Sequence, residues 1–145
     1  LEIRKPNTEE LEEISKLSKE SMLEATLGEA NISNKQIKKI FKPLLEKGCY
    51  YIAGLENGKL IGWIMIGSNE DYFTKQKAGF IYELYIKNEF RRKGYARELM
   101  NYALKLFKEE GYDEARLNVY ARNGAKKLYE LLGFTPKNMI MNKKL

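Results

Sequence analysis

Apolar residues along the 145-residue chain change their spacing from segment to segment, and the spacing predicts the elements. Leu1 and Ile3 alternate in a short strand that Pro6 ends. Leu11, Ile14 and Leu17 then recur at helical spacing, and Met22 and Leu23 extend the same face. Asn7 or Thr8 caps this helix, and Asn7 with Glu10 makes a capping-box pattern. Gly28 to Ser33 is a break. Ser33 and Gln36 repeat the box pattern before a second stripe of Ile37, Ile40, Phe41 and Leu44. Pro43 lies inside that stripe, which predicts a kink or a restart. Gly48 closes the segment.

Cys49 to Leu55 reads as a strand and Leu60 to Ile66 as its return, joined by Glu56-Asn57-Gly58-Lys59. Asn-Gly supplies the positive φ values of a tight hairpin. Gly67 to Lys77 is polar, has no period and reads as a surface loop. Gly79 to Ile86 is the next strand, followed by the polar step Lys87-Asn88-Glu89. Arg92 to Glu110 carries the longest helical pattern, with Leu99, Met100, Ala103 and Phe107 on one face, and Gly111 ends it. Ala115 to Tyr120 alternates as a strand. Asn123 opens a short helix containing Ala125, Leu128, Tyr129 and Leu132, and Gly133 closes it. Phe134 to Leu145 is expected to hold a last strand or strand pair. Hairpins fill the middle, and helices separate neighbouring strands in the C-terminal half. The expectation is one mixed α/β domain over residues 1–145.

Composition narrows the chemistry. The chain has no histidine and one cysteine, Cys49, which removes Ser-His and Cys-His nucleophile pairs and an ordinary zinc site. No metal is expected. Acid–base work falls to carboxylates, tyrosines, lysines, water or backbone. Cys49 opens an apolar strand and reads as a small buried residue. No apolar run approaches a membrane span, and the N-terminus shows no signal-peptide core, so a cytoplasmic protein without a membrane partner is the expectation. A net charge of +6 favours anionic partners such as nucleic acid or a phosphorylated cofactor.

The sharpest local feature follows the strand that ends at Tyr85 and Ile86. There Arg91-Arg92-Lys93-Gly94-Tyr95-Ala96 leads from a short turn into the longest helix. A helix N-terminus presents free N–H groups and the positive end of its dipole. Gly94 brings no Cβ and Ala96 only one methyl, so a phosphate reaches the backbone, and Arg91, Arg92 and Lys93 add charge. Neither GxGxxG nor GxxxxGK[ST] is present. A second feature is the run Asn123 to Phe134. Asn123 is a good N-cap, and Ala125 and Tyr129 share a helix face.

These residues resemble the GNAT superfamily of acyl-CoA-dependent N-acyltransferases. Its cofactor motif, Arg or Gln followed by a spaced Gly and Gly or Ala, is matched by Arg91, Gly94 and Ala96. Its later motif is matched by Asn123, Tyr129, Gly133 and Phe134. The order of elements is similar from Leu1 to Leu145. The resemblance implies a mixed, mostly antiparallel sheet flanked by helices and splayed between the fourth and fifth strands. It implies acetyl-CoA in that splay, with backbone groups of Leu84, Tyr85 and Ile86 along the pantetheine arm. N–H groups from Arg91 through Arg92, Lys93, Gly94 and Tyr95 to Ala96 would hold the pyrophosphate, and Asn123 and Ala125 would lie nearby.

The implied reaction is direct acetyl transfer to a primary amine of a small molecule or peptide. Tyr129 is the implied donor to the leaving sulfur, and Glu83 the candidate base or amine anchor. Simple alternation puts Glu83 and Tyr85 on one face of their strand and Tyr82, Leu84 and Ile86 on the other, unless a bulge shifts the phase. One position where the family carries a catalytic acid is Phe80 here. The alternatives are a catalytically silent CoA-binding sensor or scaffold and a basic nucleic-acid-binding module. Nucleic acid is the less expected partner, since no RRM, KH or zinc-finger signature is present. A monomer or a homodimer fits.

Overall fold

A computed structural model describes residues 1–145. Strand β1 (Glu2–Arg4) leads into helix α1 (Thr8–Ala25) and helix α2 (Asn34–Glu46). Strands β2 (Tyr50–Glu56), β3 (Lys59–Glu70) and β4 (Lys77–Ile86) follow. A 3-10 turn, Asn88–Phe90, precedes helix α3 (Tyr95–Glu109), strand β5 (Ala115–Leu117) and helix α4 (Lys126–Leu131). Both capping boxes form, at Asn7 with Glu10 and at Ser33 with Gln36. The hairpin turns at Asn57 (φ 52°) and Gly58 (φ 76°), both left-handed as Asn-Gly predicts.

The sheet has five strands in the order β1-β2-β3-β4-β5, antiparallel from β1 to β4 and parallel between β4 and β5. Helix α3 supplies the crossover that a parallel pair requires. It packs Leu99, Met100, Ala103 and Phe107 against Ile52, Ile64, Ile66 and Ile81 on one face of the sheet. The other face takes Ile14 of α1 on Leu55 and Trp63, and Ile37 and Phe41 of α2 on Met65. Alternation along β3 serves both layers, which is why the strand is buried from Leu60 to Ile66.

The structure corrects several expectations. The two ends of the polar Gly67 to Lys77 segment are strand. Ser68, Asn69 and Glu70 pair with Gly79, Ala78 and Lys77, leaving Asp71 to Gln76 as the loop. The ladder needs backbone groups, not apolar side chains, and these residues lie beyond the helical layers. Helix α2 runs through Pro43 without a break. Pro43 offers no N–H to the Lys39 carbonyl one turn before it, and that exposed position leaves the carbonyl to water. Helix α3 starts at Tyr95, not Arg92, because Arg92 (φ 62°) and Gly94 (φ 82°) are left-handed and continue no helix. Strand β5 stops at Leu117, short of Tyr120, for a reason that lies in β4 and is given below. Phe134 to Leu145 holds no strand. Phe134 packs on Tyr129 with ring centroids 6.1 Å apart, whereas Met139, Ile140 and Met141 are exposed and have no ladder to join.

Candidate active site

The site begins where two strands part. Strands β4 and β5 pair only as Gly79↔Ala115, Phe80↔Arg116 and Ile81↔Leu117. The next β4 residue, Tyr82, is an extra one, because Met65 pairs with Glu83 while Ile66 pairs with Ile81. Such a bulge bends its strand and ends regular pairing. Beyond it β4 continues to Ile86 with its outer edge open, and a cleft of about 720 Å³ lies there. Lys87 N–H donates to Ile61 O of β3 at 2.8 Å. By alternation the backbone groups of Tyr85 also face β3, and those of Leu84 and Ile86 face the cleft.

The bulge also decides side-chain direction. Ile81, Leu84 and Ile86 face α3. Tyr82 moves onto the α1–α2 face beside Glu83, where it packs on the cluster that holds Phe41 and Met65. Unbroken alternation would have put it on the opposite face. Phe80 packs its ring against Tyr82 at 4.6 Å between centroids and does not itself line the cleft.

Glu83 is buried, with one side on the cleft. Trp63 Nε1–H donates to its Oε1 at 2.5 Å, and Ser21 Oγ–H to its Oε2 at 2.9 Å. Burial raises its pKa above the usual carboxylate value, and these two hydrogen bonds oppose the rise. Neither Trp63 nor Ser21 stood out in the sequence. One signal was available: a tryptophan buried in a strand needs an acceptor for its N–H.

At the other end of the cleft, the backbone N–H groups from Arg92 to Arg97 have no acceptor within the protein, and the first N–H of this helix to find one is Glu98, on Gly94 O at 3.1 Å. They converge at the N-terminus of the 15-residue α3. Left-handed backbone at Arg92 and Gly94 makes a concave nest of donors. A Cβ at Gly94 would meet nothing in the protein, so that space is open to a ligand. The donor set fits a pyrophosphate.

The basic side chains behave differently. Arg91 Nε–H donates to Ile86 O at 2.7 Å, and its two terminal nitrogens each lie 2.7 Å from a Glu24 oxygen of α1. Its guanidinium also sits 5.4 Å from the Tyr85 ring centroid. Arg91 thus holds the loop against β4 and α1. Arg92 and Gly94 line the cleft. Lys93 does not, and its ammonium stands 5.7 Å from the Phe90 ring centroid. Tyr95 lines the cleft too, with its hydroxyl donating to Glu56 Oε1 at 2.5 Å.

The far wall is the segment before and within α4. Asn123 is not the N-cap of α4. Its Oδ1 accepts from Ala125 N at 2.9 Å and its carbonyl from Lys126 N at 3.1 Å, so it closes a turn ahead of the helix. Asn123 Nδ2–H donates to Ala25 O at 3.3 Å, tying this turn to the end of α1. Ala125, Leu128 and Tyr129 face the cleft with Asn123. Burial raises the Tyr129 phenol above its usual value, so it is protonated at neutral pH.

An open strand edge, a nest of free N–H groups, a buried carboxylate and a protonated phenol therefore share one cleft. This is the arrangement of an acyl-CoA-dependent transferase. The model of the acetyltransferase (GNAT) family matches residues 10–134, and the chain belongs to that family. The uncharacterized N-acetyltransferase YycN of Bacillus subtilis (strain 168) is 30% identical over 115 residues, 74% of this chain and 72% of its own. A solved structure from Pyrococcus furiosus superposes with a TM-score of 0.79 at 25% identity, covering 99% of each chain. The aminoglycoside N-acetyltransferase AAC(6')-Iy, solved in complex with CoA, shares the fold with a TM-score of 0.76 at 17% identity, over 99% of this chain and 93% of that one. No helix here is long and apolar enough to cross a membrane.

Proposed function

We propose that this acetyltransferase moves the acetyl group of acetyl-CoA directly to a primary amine of a small molecule or peptide. The observation that carries the reading is the unbroken run of unpartnered N–H groups from Arg92 to Arg97 at the end of an opened strand edge. Acetyl-CoA supplies the activated acetyl thioester. The N–H groups and the α3 dipole bind its pyrophosphate. Leu84 offers its backbone donor and acceptor and Ile86 its N–H to the amides of the pantetheine arm, as an added strand would, the Ile86 carbonyl already accepting from Arg91 Nε–H. Asn123 and Ala125 border the same path.

Glu83 takes the proton of the acceptor amine. A carboxylate raised by burial is better matched to that task than an ordinary one. A backbone N–H on the open β4 edge stabilises the charge that develops on the carbonyl oxygen. Tyr129 Oη donates its proton to the departing sulfur. None of these steps needs a covalent enzyme intermediate, and Cys49 is buried away from the cleft in the α2 cluster. Calorimetric titration with acetyl-CoA, followed by CoA-release assays on an amine panel, tests the reading. Saturable binding and amine-dependent CoA release are expected. Absence of binding at millimolar ligand overturns it, and binding without transfer to any amine leaves a CoA sensor instead.

A further inference from the structure

The acceptor half of the cleft has its own chemistry. It lies between α1, α2 and the bulged part of β4. Ser21 and Met22 come from α1, Leu27 from the turn after it, Phe41 from α2, and Tyr82 and Glu83 from β4. Met22 and Tyr82 pack on the Phe41 cluster, so the wall is continuous with the core. The Tyr82 hydroxyl donates to Ser68 O at 2.9 Å, so the residue offers the cleft its ring and not a free polar group. Met22 adds an adaptable thioether to the same wall.

Charge in the cleft points the same way. The carboxylates lining it are Glu24 and Glu83, against Arg91, Arg92 and Arg97. Both Glu24 oxygens are taken by Arg91. Glu83 is thus the one carboxylate there outside an ion pair, and Trp63 and Ser21 fix its position. An acceptor with several ammonium groups finds one unpaired carboxylate in this lining. Its remaining charges meet an apolar wall and lose hydration without a partner. The chain as a whole carries +6, which also disfavours the approach of a polycation.

We infer that the acceptor is a monoamine borne on a flat apolar body, an arylalkylamine, with its ring between Met22, Phe41 and Tyr82 and its amino group at Glu83. The inference rests on the acetyltransferase reading above and selects a substrate class within it. It separates this chain from the aminoglycoside chemistry named for AAC(6')-Iy, whose fold it shares at 17% identity.

The test is CoA release by the full chain with phenethylamine, tryptamine, spermidine and kanamycin as acceptors, beside an acetyl-CoA titration. Burial of one aromatic ring predicts kcat/KM for phenethylamine on the order of 10- to 100-fold above that for spermidine. That ratio should change little with added salt, because apolar contact carries it. Met22→Glu places a second carboxylate in the wall at a half-exposed position. It should lower kcat/KM for phenethylamine and raise it for spermidine. Leu27→Glu, at an exposed position, gives the same readout if the first variant folds poorly. Equal or better use of spermidine or kanamycin overturns the inference. So does failure to acetylate any arylalkylamine by a chain that binds acetyl-CoA, and so does an acceptor order that neither carboxylate variant shifts. Loss of acetyl-CoA binding itself strikes the acetyltransferase reading instead.

Discussion

Replacing Glu83 by Gln separates its chemical role from its structural one. The side chain keeps its shape: the Gln carbonyl accepts from Trp63 Nε1–H, and its amide donates to Ser21 Oγ, which turns to accept. Burial raises the Glu83 pKa, so the folded protein binds this proton more tightly than the unfolded chain. The stabilising contribution is complete below the unfolded pKa, about 4.3, and is lost as pH rises through the folded pKa. At neutral pH the ionised group is therefore a penalty relative to a neutral isostere, about 1.4 kcal/mol for each unit of the rise. Glu83→Gln should unfold at the same or a higher temperature at pH 7 and lose that pH dependence. Its kcat should fall roughly 10²- to 10⁴-fold, the range for a positioned base, and the acidic limb of the kcat/KM profile should vanish. Glu83→Ala behaves differently. It strands the N–H of fully buried Trp63, at a cost of about 1–3 kcal/mol before any cavity is counted. Thermal melts from acid to neutral pH, with pre-steady-state acetyl transfer, read both effects. Unchanged chemistry in Glu83→Gln, or destabilisation equal to that of Glu83→Ala, would refute the reasoning.

Tyr129→Phe should lower kcat roughly 10²-fold, as for a positioned acid, with acetyl-CoA affinity within about threefold of the original. An unchanged kcat under rate-limiting chemistry would make Tyr129 a packing residue. Gly94→Asp puts a negative charge among the free N–H groups without touching protein, and calorimetry should show acetyl-CoA affinity reduced by at least about tenfold. Asp71 is held well below the usual carboxylate range by Arg116, with help from Thr74 and Phe73 N–H. Its contribution to stability is present above the unfolded pKa, about 3.9, and is lost as pH falls. Asp71→Asn should therefore melt at a lower temperature at pH 7 and depend less on pH in acid, which calorimetric scans check.

Whatever depends on neighbours a few residues apart was legible in the sequence. The capping boxes of α1 and α2, the Asn57-Gly58 turn and the amphipathic stripe of α3 are set by hydrogen bonds and side-chain spacing within one or two helical turns. Gly94 and Ala96 belong to this class. They mark where the nest lies, whereas the left-handed backbone of Arg92, expected as helix, appears only in the fold. Pro43 predicts a kink or a restart on the same local grounds, and the helix does not restart there.

The phase of β4 was not legible. Residues Phe80 to Ile86 fit unbroken alternation, and only pairing with β3 reveals Tyr82 as the extra residue. That single insertion puts Tyr82 beside Glu83, ends β5 at Leu117 and opens the cleft. Glu83 acquires its donors from Ser21 and Trp63, 62 and 20 residues away, and Arg91 meets Glu24 67 residues away. Contacts at such separations leave no periodic trace, because each is satisfied by one side chain on another element. The tail failed as a strand for the converse reason. Met139 to Met141 has strand-like composition, but a strand exists only when another supplies its hydrogen bonds, and no edge of this sheet meets it. Local chemistry wrote the helices, the turn and the glycine of the N–H nest into the sequence. The carboxylate's environment and the opening of the sheet came from tertiary pairing, because burial and register belong to the assembled sheet and not to any stretch of it.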